Sequence, residues 1–86
     1  MEVLLTAQFE EAYDKLGGED RERVHKSLLE MEENPHLPGL RIKKMAGREN
    51  IWEARASRNL RMTFETLGDT FILRHVGHHD RVLDNP

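Results

Sequence analysis

The apolar residues of this chain change their spacing once, near its middle, and that change divides the fold. Before Asn34-Pro35 they recur every three to four positions: Phe9, Ala12, Tyr13 and Leu16, then Val24, Leu28 and Met31 with Leu29 beside them. This is the period of helices that bury one stripe. After Gly39 they recur at every second position: Trp52, Ala54 and Ala56, then Leu60, Met62 and Phe64. This is the period of strands that bury one face. A helical half followed by a sheet half is an α+β arrangement, with the helices on one face of the sheet.

The punctuation refines the outline. Met1 to Leu5 is a short aliphatic strand, and Thr6 follows it as an N-cap. Gly17-Gly18 ends the first helix and Asn34-Pro35 the second, so the two form an αα-hairpin. Leu40 to Met45 is expected to be the first strand of an antiparallel β-meander. It continues through residues 51 to 57, residues 60 to 65 and Thr70 to Val76, with turns at Arg58-Asn59 and Gly68-Asp69. The sheet then has four to five strands, and the residues beyond Gly77 suffice for one short C-terminal turn. Residues 1–86 read as a single domain, without repeats or linkers.

A chain of 86 residues with no cysteine has neither a disulfide frame nor a thiolate metal site, so apolar packing must hold it. Val3-Leu4-Leu5 and Phe71-Ile72-Leu73 fall far short of a membrane span. Glu2 stands where a secretory signal would be basic. A cytoplasmic protein with no membrane partner is expected. The formal charge of -3 conceals a division. Residues 1–38 carry ten acids and four bases, a net of -6, whereas residues 39–86 carry nine bases and six acids, a net of +3. A phosphate surface belongs to the second half.

In the phase given above, Glu53, Arg55, Arg61 and Glu65 project from the sheet face that the helices leave bare; a solvated face laced with ion pairs is the plain alternative. Near its end the sequence carries His75-Val76-Gly77-His78-His79-Asp80, three imidazoles within five residues. Imidazole exchanges protons near neutrality. Neither His25 nor His36 stands at a ligand spacing from this cluster, so no metal and no cofactor is expected. His75 lies inside a strand, where a structural role is usual, and His79 lies just past the strand end. Cleavage of RNA by its own 2'-hydroxyl needs a proton acceptor, cations beside the phosphorus and an acid for the leaving 5'-oxygen. Arg61 and Arg55 suit the phosphate, and His79 with Glu53 nearby suits the protons.

The order of these elements, with Pro38-Gly39-Leu40-Arg41, Lys44, Gly47, Trp52-Glu53-Ala54-Arg55, Leu60-Arg61-Met62-Thr63-Phe64 and His75 to Asp80, resembles the RelE/ParE toxin superfamily from Phe9 to Leu83. The resemblance to its RelE-like branch implies a toxin of a toxin-antitoxin system. It would be a ribosome-dependent, metal-independent endoribonuclease that cuts messenger RNA in the decoding site and is neutralised by a cognate antitoxin. It implies that Arg61 contacts the scissile phosphate, that Arg55 and Glu53 support it, and that His79, flanked by His78, is the residue two after the strand-end glycine. The acid and base are not divided between His78 and His79. Arg41, Lys43, Lys44, Arg48, Arg58 and Arg81 are then the expected contacts to RNA and ribosome. Many RelE-like enzymes carry an aromatic near the C-terminus, whereas this chain ends Leu83-Asp84-Asn85-Pro86. A ParE-like, non-enzymatic inhibitor of DNA gyrase and a catalytically inactive binding module of the same fold are the alternatives.

Overall fold

A computed structural model describes residues 1–79, Val82 and Pro86 of the chain. The N-terminal strand β1 (Glu2–Leu5) leads into helix α1 (Ala7–Asp14) and helix α2 (Gly18–Glu33). A 3-10 turn (Pro38–Leu40) precedes strands β2 (Lys43–Lys44), β3 (Trp52–Arg55), β4 (Leu60–Leu67) and β5 (Thr70–His78). Thr6 is the N-cap of α1. Its Oγ1 accepts from the Phe9 N–H at 3.1 Å and donates to the Leu73 carbonyl at 2.8 Å, tying the helix start to β5. The expected Gly17-Gly18 break is present, with Gly17 as N-cap and Gly18 as the first residue of α2.

Among the described residues the sheet has five strands in the order β1-β5-β4-β3-β2. The expected antiparallel meander runs from β2 to β5. The N-terminal strand adds itself parallel to β5, with Val3 opposite Phe71, so the sheet is mixed. Gly68, at φ 58°, supplies the left-handed backbone of the two-residue turn between β4 and β5.

Two expectations need correction. The segment Leu40 to Met45 is not one strand: Pro38–Leu40 is a 3-10 turn, Arg41 takes a left-handed conformation at φ 45°, and only Lys43–Lys44 pair with β3. A left-handed residue reverses the chain, so the ladder cannot start before it. The strand expected to end at Val76 continues to His78. It does so through a β-bulge: Phe64 faces Leu73 and Thr63 faces His75, which leaves Arg74 as the extra residue.

The bulge rephases β5, so Leu73 and Val76 are both buried although they are three residues apart. They join Phe9, Val24 and Met31 of the helices and Ala54, Leu60, Met62 and Phe64 of β3 and β4 in one core. Phe64 and Phe71 meet edge to face, with centroids 4.9 Å apart. Leu29, placed beside the second apolar stripe, is 53% exposed, and Ser27 is buried in its stead. Among the described residues no helix is long and apolar enough to cross a membrane.

Candidate active site

The apolar phase of β3 and β4 decides what stands on the other face. Because Ala54, Leu60, Met62 and Phe64 point into the core, Glu53, Arg55, Arg61, Thr63 and Glu65 point away from it. The register puts Arg55 directly across from Arg61, and Gly77 across from Arg61 on the other side. Two guanidiniums in direct cross-strand opposition repel each other. The Arg61 pKa is lowered, first by burial and then by Arg55, with Glu53 opposing and Arg41 adding to the effect.

Arg61 is 7% exposed, and its Nη1 is shared by the carbonyls of Ser57 and Arg58 at 3.0 Å and of Leu60 at 3.2 Å. The fourth carbonyl of that turn, Asn59, accepts the His79 backbone N–H at 2.8 Å. The 57–60 turn is therefore gathered from inside by Arg61 and from the end of β5 by His79. What this builds is a cavity of about 410 Å³ lined by Arg55, Arg58, Asn59, Arg61, His78 and His79. Arg55 is one of its walls, and the Nε of that side chain is buried without a hydrogen-bond partner among the described residues. A buried, unsatisfied guanidinium N–H is costly unless a ligand completes it.

Of the residues expected from sequence, Arg55, Arg61, His78, His79 and Arg58 come together in this cavity. Glu53 does not line it. It is buried and pairs with Lys43 Nζ at 3.6 Å across the β2–β3 ladder, holding a negative charge behind the arginines. Lys43 is thereby drawn to Glu53, while Lys44 on β2 and Arg48 in the loop after it are exposed and outside the cavity. Arg41 lines a different, apolar cavity of about 550 Å³ with Trp52 and Phe64. Glu65 pairs with the bulged Arg74 at 2.6 Å. Arg81 lies outside the described residues. Asn59 is expected from sequence only as a turn residue and not as part of the site; its carbonyl accepts from His79, and a backbone group leaves no trace in residue type.

His75 sits apart, half-buried opposite Thr63, and is among the residues around a cavity of about 630 Å³ beside the α1–α2 turn that also touches His78. Burial lowers its pKa, and its Nδ1 has no hydrogen-bond partner among the described residues. On the outer face, Thr63 Oγ1 and Arg74 Nε donate to the Pro86 carbonyl oxygen at 3.0 and 3.2 Å. Val82 packs over Gly77, where a Cβ would lie 3.2 Å from its Cγ2. Among the described residues no three His, Asp or Glu side chains converge as a metal site.

No family model matches the chain, and no curated protein matches it in sequence. Solved structures do match. A chain of the RelB-RelE antitoxin-toxin complex from Methanococcus jannaschii is 29% identical and superposes with a TM-score of 0.77, over 96% of this chain and 99% of the other. YafQ from E. coli is 8% identical with a TM-score of 0.78, over 94% and 96%. The YoeB/ParE toxin from Agrobacterium tumefaciens is 13% identical with a TM-score of 0.72, over 92% and 99%. At 8% and 13% what is shared is the fold. Over nearly its whole length the chain resembles toxins of the RelE, YafQ, YoeB and ParE kind.

Proposed function

We propose that this chain, as one domain, is the toxin of a toxin-antitoxin pair, acting in the cytoplasm as a ribosome-dependent, metal-independent endoribonuclease on messenger RNA in the decoding site. The observation that carries the reading is the cavity in which Arg55, Arg58 and Arg61 stand with His78 and His79. A phosphate diester is the anion whose size and charge suit three converging guanidiniums.

In this reading the guanidinium of Arg55 and the nitrogens of Arg61 not committed to the turn hold the scissile phosphate. One imidazole takes the proton of the 2'-hydroxyl, the 2'-oxygen bonds to phosphorus, the bond to the 5'-oxygen breaks, and the second proton donor protonates that oxygen. A 2',3'-cyclic phosphate and a 5'-hydroxyl result. His79 is the stronger candidate for proton transfer because its backbone is pinned to Asn59 at 2.8 Å, with His78 beside it. Lys44, Arg48 and Arg81 serve the ribosomal RNA. The toxin-antitoxin complexes among the structural relatives support an antitoxin partner.

The test is cleavage of messenger RNA on programmed ribosomes by the wild type and by Arg55→Gln and His79→Ala. Each variant is expected to lose about 100-fold or more in rate. Intact messenger RNA together with inhibition of DNA supercoiling would replace this reading by gyrase inhibition.

A further inference from the structure

The cavity holding His75 adjoins the basic one, and His78 is a wall of both. Its composition differs. Ala12, Leu16 and Val76 supply an apolar side, and Lys15 and Asp20 supply polar atoms around it. At about 630 Å³ it is the larger of the two and within the range of small-molecule sites. A cavity that received only phosphate would carry converging cations, as its neighbour does. This one instead sets a carboxylate and an ammonium against an apolar wall, the pattern that suits a flat heterocycle with donors and acceptors on its edge.

We infer that this cavity is a nucleobase subsite, which receives a base adjoining the phosphate bound in the basic cavity and stacks it against His78. The inference rests on the ribonuclease reading and adds its element of sequence preference. Asp20 gives one carboxylate oxygen to Arg23 Nη1 at 3.2 Å, which holds the side chain in place and leaves the other oxygen to accept from an exocyclic amino group. Guanine, adenine and cytosine carry such a group and uracil does not. Lys15 donates to a ring carbonyl or ring nitrogen.

The experiment is titration of the isotope-labelled protein with 2'-O-methyl dinucleotides, which cannot be cleaved, followed by amide NMR shifts. Three ligands carry guanine, uracil or no base at the variable position. The guanine ligand is expected to shift amides of Arg55 to Arg61 together with those of Lys15 to Asp20 and His75 to Gly77, and to bind about fivefold or more tighter than the abasic one. The abasic ligand is expected to shift only the first group. Asp20→Asn is expected to shrink the preference for guanine over uracil while leaving the abasic affinity unchanged. If all three ligands shift only Arg55 to Arg61, the base subsite is refuted and the phosphate site stands. If none shifts Arg55 to Arg61, both readings fall.

Discussion

Arg61 has one duty that its contacts show, in the 57–60 turn, and a second that the proposed function gives it. Its Nη1 serves three carbonyls of the 57–60 turn, so the side chain organises the turn that presents Arg58 and holds His79. Its remaining nitrogens are what a phosphate can use. Arg61→Ala abandons the turn carbonyls and should cost about 1–3 kcal/mol by urea denaturation. Arg61→Lys returns a donor to the turn without the forked geometry, so it should recover most of that stability and still cut RNA about 100-fold more slowly. Full cleavage by the lysine variant would mean that charge alone suffices. His75 yields a prediction on pH. Its pKa in the fold lies below the ordinary 6.5 because burial disfavours the imidazolium. Above pH 6.5 both folded and unfolded chains hold it neutral, and its contribution is fully present. As pH falls, the unfolded chain takes the proton first, so stability declines until the lower folded-state pKa is passed. His75→Gln should therefore lose less stability than the wild type between about pH 7.5 and pH 5.5 in urea titrations. Parallel curves would place the acid sensitivity elsewhere.

Thr6 shows how a single cap couples elements. It closes the first turn of α1 and reaches 2.8 Å to the Leu73 carbonyl, just before the bulge at Arg74. Thr6→Ala should cost about 1–2 kcal/mol, and Thr6→Ser, which keeps the oxygen, less than half of that. Equal losses would show that the methyl group and not the hydroxyl matters. Such caps are legible in sequence, since they use particular side chains at particular positions before an apolar period. The αα-hairpin, the phase of β3 and β4, and the face shared by Arg55 and Arg61 are legible for the same reason. The shape of β2 was not, because Arg41 adopts a left-handed conformation that residue type does not announce. Nor was the bulge, although it matters most for the site. Without the extra residue at Arg74, continuing the register from Phe64 opposite Leu73 would bring His78 rather than His79 level with Asn59. Cavity membership also escaped sequence reading. Glu53 shares a face with Arg55 yet is drawn to Lys43, a pairing set by the short β2 ladder.

At the scale of the molecule, a formal charge of -3 argues against RNA binding only if charge acts from everywhere at once. It does not. The net of -6 on residues 1–38 is carried mostly by the helices, and the net of +3 on residues 39–86 by the sheet half. The molecule measures 25 Å across its shortest extent, whereas at physiological ionic strength the field of an exposed charge decays over about 8 Å. A phosphate in the basic cavity would therefore meet three guanidiniums of its walls, whereas helix acids that line neither that cavity nor the adjoining one act on it through screening solvent. The salt dependence of binding follows. Three neutralised contacts on single-stranded RNA give a slope of log K against log salt near about -2, and Arg58→Gln should make it shallower by about 0.7. Glu22 and Glu33 are exposed on α2 and line none of the cavities named above. Converting both to glutamine should strengthen binding at low salt and change it less than about twofold at 0.15 M. Isothermal titrations with a short RNA at three salt concentrations measure both quantities. If neutralising the two helix acids strengthened binding at 0.15 M as much as Arg58→Gln weakened it, affinity would follow total charge. The three guanidiniums of the cavity would then have no special claim on the phosphate.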